Sequence, residues 1–278
     1  MIGGVRIDLH AHSDMSDGTE PPGQVVRRAA EAGVDILALT DHDGTGGWDE
    51  AEAALPSGMT LVPGVELSCV HRGRSLHLLG YLFDPAHPEL AAEMERLRTD
   101  RVRRARGMVD RLNELGAPVA WEEVQALAGG ETVGRPHIAR AMVAAGVVPS
   151  FEDAFTTEWI GEGGRAHVSR YALDPLKAVR LVTAAGGVSV FAHPLGRGGY
   201  TFGDDLIAEM AGAGLGGAEV DHPDHTPEDR ARLRKLAEEL DLVVTGSSDD
   251  HGELTGHRLG CETTSPEQYE RLCARAGR

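Results

Sequence analysis

Along the chain the apolar positions change period twice. Between residues 5 and 83, short apolar runs alternate with stretches of helical spacing. "VRIDLH" (5–10), "DILALTDH" (35–42), "TLVPGVEL" (60–67) and "SLHLLGYLF" (75–83) have the length and residue types of buried strands. "PPGQVVRRAAEAG" (21–33) reads as a helix entered through proline and ended by glycine, and "WDEAEAAL" (48–55) as a shorter one. After Pro88 only helical spacing remains. Met94, Leu97, Ala105, Met108, Leu112 and Leu115 form one stripe of a long helix over about 88–115, with Arg101 the charged exception inside the stripe. Helices at 121–128, 135–146 and 150–159 follow, and the alternation then returns. Helices 174–185, 204–213, 227–240 and 266–276 interleave with strands 188–194, 217–223 and 242–251.

This order predicts an α/β protein in three pieces: a first β/α part over 1–87, an inserted helical subdomain over 88–165 and a second β/α part over 166–278. Strands separated by helices predict parallel pairing. Seven of them predict a small closed barrel rather than an open sheet.

Composition narrows the class. With 278 residues, 41% hydrophobic and 26% charged, the chain can bury one large core plus a modest insertion. No run of eighteen apolar residues occurs, and "MIGGVRIDLH" lacks the charged and then apolar pattern of a signal peptide, so the expectation is a cytoplasmic protein with no membrane partner. Cys69, Cys261 and Cys273 are an odd set without C-x-x-C spacing, which points to neither a disulfide framework nor a thiolate metal site. A formal charge of -17 excludes duplex DNA as a partner, since that affinity depends on neutralising phosphates with Lys and Arg. Any phosphate must be held locally, by metal ions or a few arginines. Thirteen histidines in so acidic a chain favour metal.

Those histidines recur at one place. In "DLHAHSDMSDGT" (8–19), His10 and His12 are two apart on a strand and therefore project to one face. Asp41 and His42 end the second strand, Glu66 the third, His193 the fifth, Asp221 and His222 the sixth, and Asp249 with His251 the seventh, while His77 lies inside the fourth. A single strand-end His or Asp is usually a cap or a hydrogen-bonding residue. Several in phase with the strand ends of a parallel barrel converge on the face where such barrels build their sites.

"DLHAHSDMSDG", "LALTDHD", "PGVELS", "HLLGY", "FAHP" and "GSSDDHG" together resemble the signature segments of the PHP (polymerase and histidinol phosphatase) superfamily. Within it they are most similar to small bacterial phosphoesterases acting on nucleotides and short RNA. The resemblance spans about 1–85 and 165–255 and touches "GRPHIARAMV". It implies a distorted seven-stranded (β/α)7 barrel holding two or three divalent ions, manganese, zinc or iron. By the same resemblance His10, His12, Glu66 and Asp249 bind one ion, Asp17, His42 and His251 a second, and Glu66, His77 and His193 a third. Asp250, a neighbour of two of these, points away and supports them. Independently, nine N and O ligands suit borderline divalent ions better than magnesium. Two ions roughly 3.5–4 Å apart can share a hydroxide and clamp a phosphoryl group.

Further candidates surround this set. Arg135 and His137 open a helix, where backbone N–H groups favour an anion, and the resemblance makes Arg135 a phosphate ligand; a surface cap is the ordinary alternative. Arg197, in the glycine-rich "HPLGRGG", could reach the same phosphate. His222, His225 and Asp249 are the candidates for catalytic proton handling, with His225 also a candidate nucleotide contact or a residue that merely precedes the helix cap Thr226. The arginines of "RLRTDRVRRAR" (96–106) read as a solvated face, except Arg101. The implied activity is metal-dependent hydrolysis of nucleotide phosphomonoesters by a metal-bridged hydroxide, on nucleoside 3′,5′-bisphosphates or the 5′ ends of short oligoribonucleotides. The alternatives are a histidinol-phosphate phosphatase and a metal-binding module without catalysis.

Overall fold

The structure, a computed structural model, describes residues 4–129, 132–195 and 202–278. Strands β1 (Ile7–Ala11), β2 (Ile36–Leu39), β3 (Thr60–His71) and β4 (Arg74–Tyr81) are joined by helices α1 (Pro22–Glu31) and α2 (Trp48–Ala53) and a tight turn. Helices α3 (Pro88–Glu114), α4 (Trp121–Ala128) and α5 (Arg135–Ala144) come next. Then α6 (Pro175–Ala184), β5 (Val188–Phe191), α7 (Asp204–Gly212), β6 (Gly217–Asp221), α8 (Pro227–Glu239), β7 (Val243–Gly246) and α9 (Pro266–Arg275) alternate to the end. The helix starts are set by local chemistry. Proline stands in the first turn of α1, α3, α5, α6, α8 and α9, where its missing N–H has no intrahelical role. The side chains of Asp174, Thr226 and Ser265 accept hydrogen bonds from first-turn N–H groups of α6, α8 and α9.

The seven strands lie in chain order, β1 to β7. The expected all-parallel pairing holds for β1–β2–β3 and β5–β6–β7 only; β4 runs antiparallel to both its neighbours. The cause is the two-residue turn Arg72-Gly73, with φ of 48° and 78°, which reverses the chain directly after β3. A parallel bridge between Ala11 and Asp250 brings the end of β1 to the segment after β7, so the sheet is nearly a closed, distorted barrel. The expected helix at 150–159 is only a single 3-10 turn, Glu152–Phe155.

Inside the barrel, Ile7, Leu9, Ala38, Leu79, Tyr81, Val190 and Val243 interdigitate, and the buried Tyr81 hydroxyl donates to Leu9 O at 2.7 Å. Outside it, α1 and α2 cover one flank, and α6, α7 and α8 the other. The second half of α3 with α4 and α5 gathers a core of its own around Met108, Leu112, Ile138 and Met142. These helices connect β4 to β5 and stand over the ends of the strands.

Candidate metal centre

His10 lies in β1 and His12 one residue past it; both are buried, at 0% and 1% exposure. The chain then turns so tightly, Gly18 N donating to Ser13 O at 2.9 Å, that a Cβ on Gly18 would sit 2.6 Å from His12 O. This turn returns Asp17 to the same point. His42 follows β2 and bridges to Glu66 of β3. His193, Asp249 and His251 lie beyond the ends of β5 and β7, in loops rather than at the last strand positions. His193 and Asp249 hold positive φ of 28° and 49°, conformations that non-glycine residues rarely adopt and that recur at functional sites.

The side chains converge. His10 Nε2 is 3.1 Å from His12 Nε2, 3.4 Å from Glu66 Oε2 and 3.3 Å from Asp249 Oδ1, while His12 Nε2 is 3.2 Å from Glu66 Oε2 and 3.4 Å from Asp249 Oδ1. Beside this group, Asp17 lies 3.6 Å from His42 Nε2 and 3.4 Å from His251 Nε2. On the other side, Glu66 Oε1 is 2.8 Å from His77 Nδ1 and 3.2 Å from His193 Nε2. All nine residues singled out in the sequence as metal ligands are thus brought to one cluster around Glu66 and Asp249.

This donor set fits divalent cations. With metal–ligand distances of roughly 2.0–2.1 Å, neighbouring ligands sit about 3.0 Å apart in an octahedron and about 3.4 Å apart in a tetrahedron. The spacings around His10 and His12 fall in that interval. His42 Nδ1 and His222 Nε2 are buried and near carboxylates, yet neither is aligned for a hydrogen bond, as expected of groups ringed about a shared ion. Burial alone would raise Asp17, Glu66 and Asp249, but the surrounding imidazoles hold all three carboxyls well below their usual range. Burial likewise opposes a charged His12, but Asp249 and Glu66 outweigh it and push its pKa up to about 10.

One support was not singled out in the sequence. Glu219 of β6 is fully buried, accepts from His10 Nδ1 at 3.1 Å and His193 N at 2.8 Å, and is also bonded by the Ser247 hydroxyl. Its charge orients two of the imidazoles. Asp41, named as a strand-end residue, accepts from Ser13 N and from the hydroxyls of Ser13 and Ser16, so it braces the turn that carries Asp17. Asp250 accepts from Gly252 N, Thr255 Oγ1 and Arg258 N, away from the cluster.

The cluster opens into a cavity of about 550 Å³. Besides the imidazoles and carboxylates, the cavity is lined by Arg74, Arg101, Arg104, Arg135 and Arg170 and by Phe151, Phe155, Phe191 and Phe202, four of the five phenylalanines in the chain. Arg135 lies over the Phe155 ring at 5.8 Å.

Several candidates fall elsewhere. His137 is buried at 1% exposure and accepts from Gly134 N at 3.0 Å; it caps α5 and is off the cavity wall. His225 is also off it: Nδ1 donates to Val220 O at 2.9 Å and Nε2 accepts from Leu195 N at 3.3 Å, which occupies both ring nitrogens with backbone. His222 has no exposure and faces Asp249, with Nε2 3.4 Å from Oδ2, so it belongs to the floor of the cluster. Asp221 turns outward to Arg234 at 2.7 Å because the β6–β7 register shifts between Glu219 and Asp221. Arg197 lies outside the described residues.

A model of the PHP domain matches residues 8–115. The 5′-3′ exoribonuclease of Haemophilus influenzae is 39% identical over 249 residues, covering 88% of this chain and 90% of that one. The phosphoribosyl 1,2-cyclic phosphate 1,2-diphosphodiesterase of Eggerthella lenta is 36% identical, with coverage of 88% and 94%. The 3′,5′-nucleoside bisphosphate phosphatase of Chromobacterium violaceum is 36% identical, with coverage of 91% and 90%. Among solved structures, a candidate metal-dependent phosphoesterase from Bifidobacterium adolescentis superposes with a TM-score of 0.91 at 35% identity, covering 98% of this chain and 97% of that one.

Proposed function

This chain belongs to the PHP domain family, and on that premise we propose that it hydrolyses phosphate esters of nucleotides, either nucleoside 3′,5′-bisphosphates or the 5′ ends of short oligoribonucleotides. That it is a metal-dependent phosphoesterase, a hydrolase of phosphoric esters, follows from the family itself. The choice of nucleotides rests on one observation: the cavity sets imidazoles and carboxylates against guanidinium groups and phenyl rings. A nucleotide presents the matching groups, a phosphoryl to be cleaved, a further phosphate and a flat base.

Two to three ions of the manganese, zinc or iron type, when bound, polarise the phosphoryl group and acidify water at neutral pH. The chain supplies the rest. Glu66, Asp249 and Asp17 fix carboxylate oxygens at the ends of β3 and β7 and in the turn after β1, and Glu219 keeps His10 facing them. Asp249, with His222 behind it, would take a proton from the attacking water and pass it to the leaving oxygen. Arg135 grips a phosphate that is held but not broken, and the half-buried Phe151, Phe155 and Phe202 offer ring faces to the base. The reading includes small phosphorylated substrates as partners and a cytoplasmic site of action. It is supported by free thiols at Cys69, Cys261 and Cys273 and by the absence, among the described residues, of a helix long and apolar enough to cross a membrane.

The test is phosphate release by manganese-loaded protein from adenosine 3′,5′-bisphosphate, a 5′-phosphorylated short RNA, a ribosyl 1,2-cyclic phosphate, histidinol phosphate and an aryl phosphate. The expected result is the highest kcat/KM on one of the first two. The highest value on histidinol phosphate or on the cyclic ester overturns the proposal.

A further inference from the structure

The loop after β7 carries two of the clustered ligands, Asp249 and His251. Asp250, between them, accepts from Gly252 N at 3.0 Å, Thr255 Oγ1 at 2.9 Å and Arg258 N at 2.7 Å, and so folds residues 251–258 back on themselves. That fold returns Arg258 to Asp249. Its Nη2 donates to Asp249 O at 3.0 Å and lies 3.7 Å from Asp249 Oδ2. Arg258 is not among the residues that line the cavity.

Both ligands feel this contact. The positive φ of Asp249 is a conformation that its surroundings must hold, and the bond to its carbonyl oxygen does so from outside the cluster. The two oxygens of its carboxylate also divide: Oδ1 faces the Nε2 atoms of His10 and His12 at 3.3 and 3.4 Å, and Oδ2 faces His222 and Arg258. A cation on the Oδ2 side keeps Oδ1 turned toward the imidazoles. The carbonyl oxygen that Arg258 engages also accepts from His251 Nδ1 at 3.0 Å. A carbonyl has no proton to give, so the His251 proton sits on Nδ1, and the Nε2 lone pair, 3.4 Å from Asp17, is left for a cation. The Arg258 side chain is only 20% exposed, and its Nε is buried without a hydrogen bond among the described residues. An arginine placed merely by its own solvation would not leave that donor unmatched.

We propose that Arg258 is a positioning residue of the metal centre. One guanidinium group sets the carboxylate of Asp249 and, through the carbonyl oxygen that it shares with His251, the tautomer and direction of that imidazole. It acts through these two ligands and never meets the substrate. Its loss therefore loosens metal binding and slows turnover together, while the grip on the substrate is kept. None of this depends on the choice of nucleotides as substrates.

The experiment compares full-length wild type with Arg258→Met, Arg258→Lys and Arg258→Ala. Manganese affinity is read by competition with a chelator, and kcat and KM on an aryl phosphate at saturating manganese. Arg258→Met is expected to bind manganese roughly 10- to 100-fold more weakly and to lose kcat by a similar factor, with KM near wild type. Arg258→Lys keeps the charge without the fork and should recover part of both losses. Guanidinium ion, added below denaturing concentration, should restore part of kcat to Arg258→Ala. Wild-type affinity and kcat in folded variants overturn the proposal. A raised KM at constant kcat also overturns it, because Arg258 would then act on the substrate. So does an equal loss in the Lys and Met variants with a lowered melting temperature and no response to guanidinium, which would make Arg258 a prop of the fold alone.

Discussion

On one wall of the cavity, imidazoles and carboxylates stand within 3.6 Å of one another and hold each other's charge. On the other wall stand five arginines, of which Arg101 pairs with the buried carboxylate of Asp43. The first wall comes from strand ends and the loops that follow them, where backbone geometry is stiff. The second comes largely from α3, α5 and the segment leading to α6. The difference teaches a division of labour: chemistry that needs ligand positions within tenths of an ångström is built on the sheet, whereas recognition, which tolerates the reach of an arginine, is carried by helices.

The largest effect expected from this contrast is on the first wall. Chelation should abolish hydrolysis, manganese should restore it, and elemental analysis of the restored protein should find two to three ions per chain. Asp17→Ala or His251→Ala should remove one ion and lower turnover by several orders of magnitude on every substrate. Full activity with a single ion would break the comparison at its base. Next comes the support behind that wall: Glu219→Gln should weaken metal affinity or activity by about 10- to 100-fold, read by competitive metal titration. The loss should be the same for a nucleotide and an aryl phosphate, since the substrate never meets Glu219. Arg135→Ala should show the opposite pattern. It should lose roughly one to two powers of ten in kcat/KM for a nucleoside 3′,5′-bisphosphate and much less for an aryl phosphate. Equal losses would move Arg135 onto the reacting phosphoryl group. The smallest effect belongs to a residue on neither wall: His137→Ala should cost about 1–3 kcal/mol of stability through its lost cap and packing, with kcat/KM near wild type in a denaturation-controlled assay.

Much of the first wall was legible in the chain because its residue types are rare and their places periodic. Histidines at positions 10 and 12 can only share a face, and "SSDDHG" can hardly be a hydrophobic strand end. Where sequence logic failed, a local irregularity intervened. Asp221 sits two residues from Glu219 and ought to share its face, but the register shift between them turns Asp221 to Arg234. Glu219 was overlooked as an ordinary strand residue, although a lone acid in "GAEV" has no reason to be buried without a partner. The reversed β4 was read as parallel, while the signal was present in Arg72-Gly73, a two-residue connection with glycine between apolar runs. The arginines of α3 were read as solvated, yet Arg104 lies three residues past Arg101 and four before Met108, on the edge of the buried stripe. Charge composition alone could not separate it from its exposed neighbours Arg103 and Arg106.

The reversed hairpin also ties the two walls together. In the β3–β4 ladder Ser68 stands directly opposite His77; Ser68 Oγ meets Arg101 and Arg170, and His77 meets Glu66. The two walls therefore touch through this pair of cross-strand neighbours, with Asp43 and Arg101 as a clasp. Because the helices between β4 and β5 carry none of the nine clustered ligands, substitutions there that spare the clasp should alter substrate preference and leave the hydrolytic apparatus intact.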